Sequence, residues 1–510
     1  MASAAPATSP DPALAPYQED RGFFGHPRGL ATCFFTEMWE RFSYYGIRPL
    51  LVLYMTAALT SGGFGFERPQ ATSIVGIYAA SVYLAALPGG WVADRWLGLQ
   101  RAVWYGGICI ALGHLSIALS ALFDQQAFFL GLVLIVVGTG LVKGNVSAIV
   151  GDLYAGPGSR RDAGFSIFYM GINSGALIAP IITGFLGERM GWHLGFGAAG
   201  VGMLIGLVVF RLRAKPTLGP LGALPSASPE EQRRTRAIAL GVLGALFLVV
   251  LLGMVGVFRP DPVAIAASMS TIMLTMSALY FGYLFFLAGL TADEKKRAVV
   301  ILVLFVFSMV FWSAFEQAPT SLNLFARDFT DRTVGGWQMP ASWFQSAESF
   351  FVVLLAPVMA AVWTALGRVG RNPSSPAKFA FALAAAGVGF WAILLAARSV
   401  VASGGTIKVS PLWLVFCYFT HAVGEVALSP VGLSSMSTLA PRKFVGQMMG
   451  LWFVATALGN LFAGIVGGQV DPSQLAQMPL LFQRTALSLF VAALVCLALV
   501  IPIRRLTRER

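Results

Sequence analysis

Charge is what this sequence has least of. Only 11% of its 510 residues are Asp, Glu, Lys or Arg, against about 25% in an ordinary soluble domain. With 57% hydrophobic residues and a mean hydropathy of +0.74, it reads as an integral membrane protein. Cysteine is scarce too: Cys33, Cys109, Cys417 and Cys496 are scattered through apolar runs with no CxxC spacing, so neither a disulfide framework nor a thiolate metal site is expected. Of the four histidines, His421 stands four residues from Glu425 as two ligands might, but no third ligand accompanies them. Neither a GxSxG nor a Cys–His constellation stands out, so no enzymatic activity is expected. The amino terminus lacks the basic start and apolar core of a signal peptide. The net charge of +12 invites a nucleic-acid partner, but the Lys and Arg residues sit mainly in alternate loops, which argues against one.

What is there is a series of fourteen apolar runs, each long enough to span about 30 Å as helix. They fall near 33–59, 71–95, 101–122, 127–150, 163–186, 193–213, 237–257, 266–290, 298–325, 342–366, 377–397, 411–437, 445–469 and 479–503. With both termini inside, the basic clusters Arg160-Arg161, Lys295-Lys296-Arg297, Arg442-Lys443 and the tail after Arg504 share one face. Both termini are therefore expected to be cytoplasmic. The longest polar, Pro- and Gly-rich stretch is 214–235. The organisation expected is a disordered cytoplasmic tail (1–30), a six-helix bundle (31–213), a cytoplasmic linker (214–235), a peripheral inserted helix pair (236–290), a second six-helix bundle (291–505) and a short cytoplasmic tail (506–510).

The first run carries what such a run should not: Glu37-Met38-Trp39-Glu40-Arg41-Phe42-Ser43-Tyr44-Tyr45-Gly46-Ile47-Arg48. At 100° per residue, Glu37, Glu40, Arg41, Tyr44, Tyr45 and Arg48 share about two-fifths of the helix circumference. Each ionisable group facing lipid would cost about 2.5–3.5 kcal/mol, so this face must look into protein or water. Further charges are buried in later runs: Lys143 in Gly138–Asn145, Glu316 one turn after Trp312, Glu348 after Trp343, and Glu425 before Ser429-Pro430.

Glu-x-x-Glu-Arg-Phe-x-Tyr-Tyr on a first membrane helix closely resembles the signature of the proton-dependent oligopeptide transporters, a family of the major facilitator superfamily. Gly89-Gly90-Trp91-Val92-Ala93-Asp94-Arg95 is similar to that superfamily's Asp-Arg turn. The resemblance implies an all-α polytopic fold of two six-helix bundles, with the two additional helices that bacterial members often insert. It also implies a bacterial inner-membrane location.

A carrier of many peptides should hold the two ends and leave the middle loose. Arg48 and Lys143 are expected to hold the carboxylate, and Glu425 with Asn173 the ammonium, with Glu348 beside them. Tyr44, Tyr45, Tyr83, Trp312 and Trp452 would form amphipathic walls; the resemblance supports these positions. The expected function is proton-coupled import of di- and tripeptides by alternating access, driven by a proton gradient with no cofactor or metal. Glu316 with Arg48 is one expected proton switch, and Glu37 and Glu40 with Arg41 and Lys143 another. The expected partners are peptides, protons and the lipid bilayer, and the working form a monomer. The alternatives are a drug or amino-acid exchanger of the superfamily, or a divergent member carrying a non-peptide. The sequence departs from the family at Glu348-Ser349, where Asn-Pro is common, and at Gly144, where Pro is common.

Overall fold

The computed structural model describes residues 12–507 apart from Pro157. Among them are fourteen helices of twenty residues or more, as expected of a chain whose backbone must satisfy its own hydrogen bonds in lipid. Twelve are long and apolar enough to cross a membrane by length and composition. The other two are the motif helix Arg28–Thr56 and Leu99–Ala118. The small antiparallel pairing of Thr333–Val334 with Trp337–Gln338 is confined to a loop. The fold is all-α and polytopic.

Local chemistry sets the helix ends. Ser228 and Thr291 each begin a helix as one half of a capping box, with Glu231 and Glu294 as the other halves. Asp261 accepts from Val263 N–H ahead of Pro262. The linker expected over 214–235 is shorter than that, because Trp192–Leu218 continues through Pro216 and the next helix begins at Pro229.

By contact the chain divides into two compact units. One comprises the chain through Tyr44 with Ala85–Gly175 and Ala199–Val257; the other comprises Tyr45–Leu84, Ala176–Ala198 and the chain from Phe258. The division passes through the middle of four helices rather than at 213 or 291. A membrane helix is long enough for its two ends to have different neighbours, which a boundary drawn from loop composition does not register.

In the first unit, Leu99–Ala118 and Ser120–Asp152 approach through paired glycines. A Cβ added at Gly106 would lie 2.7 Å from the Gly138 carbonyl oxygen, and one at Gly131 would lie 2.5 Å from that of Gly113. Only glycine allows this spacing. The amino-terminal segment differs from the disordered tail expected through residue 30. Residues 1–11 lie outside the described residues, but Ala15–Gln18 is helical and the following loop is held in place. The Arg160 guanidinium donates to the carbonyls of Gln18, Asp20 and Gly25, and Gln18 donates to the Asp152 carbonyl. His26 Nδ1 meets the Tyr154 hydroxyl at 2.9 Å.

In the second unit, the far ends of first-half helices are tied to the second half of the chain. Arg68 pairs with Asp328 at 2.7 Å and donates to the Val470 carbonyl. Asn323 donates to the carbonyl of Pro49. The Glu188 carboxylate accepts from the main-chain N–H groups of Ala341 and Ser342 at 2.8 and 2.9 Å and from the Ser342 hydroxyl at 2.6 Å. It thereby caps the amino end of the helical segment Ala341–Arg368 from a different part of the chain. The helix Pro262–Phe286 packs within this unit through Ala266, which meets Ala80, Ala457 and Leu461. Little of its apolar length is buried, and less of that of Pro229–Met254, where Thr235 and Ala239 are the residues withdrawn.

Replacing Glu188 by Ala orphans two helix-end N–H groups, at a cost of about 1–3 kcal/mol. The apparent thermal midpoint of the detergent-solubilised protein is expected to fall, while Ala at the exposed Glu67 leaves it in place. An unchanged midpoint for Glu188→Ala would refute the capping role.

Candidate functional site

The motif helix contributes to both units, because the division falls between Tyr44 and Tyr45. Its first half places Glu37, Glu40 and Arg41 in the first unit, each at most 4% exposed. One guanidinium serves two carboxylates: Arg41 Nε lies 3.1 Å from Glu37 and 2.5 Å from Glu40. Lys143 attracts Glu37, which brings the charges of the cluster to two of each sign. Glu37 Oε2 and Glu40 Oε1 are buried without a hydrogen-bond partner, so each is an oxygen on which a proton can sit. The Arg41 guanidinium is 5.7 Å from the centre of the Tyr44 ring. Asn173 is buried in this unit, and its amide donates to the Tyr169 carbonyl one turn back.

His114 joins the motif helix in a way the sequence does not announce. Its Nε2 meets the Ser43 hydroxyl at 2.5 Å, with both side chains buried. Ser43 occupies the variable position of the motif, and His114 stands alone in its own run, so no spacing links the two.

In the second unit, Arg48 and Glu316 form a buried ion pair. Tyr45 flanks it, with its ring centre 6.0 Å from the guanidinium. Glu316 follows the last residue of the helix Ala292–Phe315, just before the widened turn Ala318–Leu322 that contains Pro319. Such widened turns often accompany functional positions. Here the turn ends the regular helix at the acidic residue.

Glu348 and Glu425 come together from two neighbouring helices, Phe344–Arg368 and Leu412–Thr438. Val352, one turn beyond Glu348, packs with Ala422 and Val426, which flank Glu425. Glu348 is repelled by Glu425 and attracted by Arg48. Tyr418 stands one turn before Ala422 on its helix, as Glu348 stands one turn before Val352 on the other. It is fully buried and its hydroxyl has no hydrogen-bond partner. Tyr418 was not among the residues expected at the site, yet a signal for it exists: it precedes Glu425 by seven residues, two turns along the same helix face.

Trp312 and Trp452 meet edge to face, with ring centres 6.4 Å apart. Two glycines make room for them. A Cβ at Gly459 would lie 2.4 Å from Trp312 Cβ, and one at Gly432 would lie 2.1 Å from the Trp452 ring. The buried Trp312 indole N–H is left without a partner. Tyr83 stands against the Ala80–Leu461 cluster. His421 is a core residue, stacked between Phe315 and Phe390 with its Nε2 3.5 Å from Cys417 Sγ. Among the described residues, no group of three His, Cys, Asp or Glu side chains is arranged to hold a metal ion.

Comparison with known proteins agrees with this architecture. The sequence model of the POT family matches residues 100–215 and 261–481. A protein of Yersinia enterocolitica named peptide transporter YePEPT is 49% identical over 95% of this chain and 96% of its own length. A di-/tripeptide transporter of Lactococcus lactis subsp. cremoris is 37% identical over 89% of this chain and 90% of its own. Among solved structures, a peptide transporter POT in complex with sulfate superposes with a TM-score of 0.86 at 40% identity, covering 97% of this chain and 98% of that one. A POT family transporter in complex with a thioalcohol-conjugated peptide gives 0.85 at 34% identity, covering 95% of this chain and 98% of that one. With the family model spanning more than half of its length and relatives aligned nearly end to end, the chain belongs to the POT family of membrane transporters.

Proposed function

We propose that this protein is a proton-coupled symporter that imports di- and tripeptides across a bacterial inner membrane by alternating access, with both termini in the cytoplasm. The observation that carries the reading is the placement of Arg48, Glu316, Glu348 and Glu425 within one unit, where a buried cation lies in the field of separate carboxylates. A zwitterionic peptide presents the matching charges. Extended dipeptides reach about 7 Å and tripeptides about 10 Å, so the groups that hold the two termini can be the same while the middle varies. In this reading Arg48 holds the carboxylate end, and Glu425 the ammonium. Tyr45, Tyr83, Trp312 and Trp452, which belong to the same unit, serve as walls.

Coupling follows from competition for cations. The substrate carboxylate draws Arg48 from Glu316, and the buried acid left without its countercharge then takes a proton. The same logic applies to Glu37 and Glu40. Their two negative charges are balanced only while Arg41 and Lys143 both serve them. When Lys143 is drawn away from them, one proton restores the balance.

Labelled dialanine is expected to accumulate in proteoliposomes under an inward proton gradient. Collapse of that accumulation by a protonophore, with inhibition by tripeptides and not by free alanine, is the supporting result. No uptake by verified folded protein would overturn the reading. Glu316→Gln is expected to abolish gradient-driven accumulation while sparing counterflow of labelled peptide; driven uptake at the unmodified rate would remove Glu316 from the coupling. Glu425→Gln is expected to weaken free dipeptides by about tenfold or more, the order of one hydrogen-bonded charge contact, with little effect on N-acetylated analogues. Equal loss for both would remove Glu425 from the ammonium site.

A further inference from the structure

The site of the second unit has one carboxylate more than a simple dipeptide requires. Arg48 is matched by Glu316. Glu425 is matched by the ammonium in the reading above. Glu348 remains, one turn before Val352, which packs against Ala422 and Val426 on either side of Glu425. Neither Glu348 nor Glu425 forms an ion pair with another side chain among the described residues. Tyr418 stands one turn before Ala422, as Glu348 stands one turn before the Val352 that packs against it; it is fully buried and its hydroxyl makes no hydrogen bond. A carboxylate and a phenol oxygen together offer acceptors to an alkylammonium, which has three donors and no acceptor.

We propose that Glu348 and Tyr418 form a subsite for a second positive charge, so that the transporter favours peptides whose first residue has a cationic side chain. This rests on the peptide reading and sharpens it. The α-ammonium goes to Glu425, and the side chain of the same residue brings its charge to Glu348. The arrangement is directional. A cationic side chain on the second residue starts one residue farther from the α-ammonium that Glu425 holds.

The test is competition against labelled dialanine in proteoliposomes, using Lys-Ala, Orn-Ala, Ala-Lys, Glu-Ala and unlabelled Ala-Ala. Lys-Ala or Orn-Ala is expected to compete at a concentration about tenfold lower than Ala-Ala, the order of one charge-assisted contact. Ala-Lys and Glu-Ala are expected to show no such advantage. The ratio of Lys-Ala to Ala-Ala should collapse towards one in Glu348→Gln and shrink in Tyr418→Phe. Equal competition by Lys-Ala, Ala-Lys and Ala-Ala in the unmodified protein overturns the subsite, and this arm does not depend on any variant folding. A preference that survives in Glu348→Gln overturns the assignment to Glu348. If dialanine is not taken up at all, the peptide reading fails first, and that failure is distinct from a flat order of competitors.

Discussion

A buried charge in a membrane protein must be met by an opposite one, and the pair Arg48–Glu316 is where this requirement reaches farthest along the chain. The two residues are 268 positions apart, and both are almost wholly withdrawn from solvent. Either charge left alone would be costly at membrane depth. The motif helix and the end of Ala292–Phe315 are therefore held in register by electrostatics as well as by packing. The interruption at Ala318–Leu322 and the glycine at 459 serve that register. One ends the helix at the acid, and the other lets Trp312 sit one turn before it. A pair that is both necessary and separable suits a carrier, because a substrate bringing its own charge can replace either partner.

The first unit solves the same problem differently. There the acids outnumber the guanidinium that touches them, and the fourth charge comes from Lys143 on another helix. A cluster balanced by a distant member is sensitive to anything that draws that member away. The two units thus hold protonatable groups in distinct settings, one a close pair and the other a shared arrangement.

Much of this was legible in the sequence, because apolar runs longer than a bilayer and charges inside them are strong signals. The motif helix declared its polar face by its spacing, and Glu348 stood out as an acid where the family tends to have an amide. What escaped has physical reasons. The amino-terminal segment is held through its own main-chain carbonyls by Arg160, and carbonyl acceptors leave no trace in residue type. The contact of His114 with Ser43 joins two residues that periodicity does not relate. Tyr418 lay within reach of the same face count that placed Glu425, but an aromatic in an apolar run reads as packing until its hydroxyl is seen without a partner.

The charged face of the motif helix also bears on how the protein is made. This helix is not among those apolar enough to cross a membrane on composition alone, yet it precedes the other long helices among the described residues. Part of its charge is answered within the helix itself, where Glu37 and Glu40 stand beside Arg41. The countercharge of Arg48 is not synthesised until eight further long helices have begun. The charge of Arg48 can therefore be met as the structure shows it only once residue 316 has been made, long after the helix that carries it.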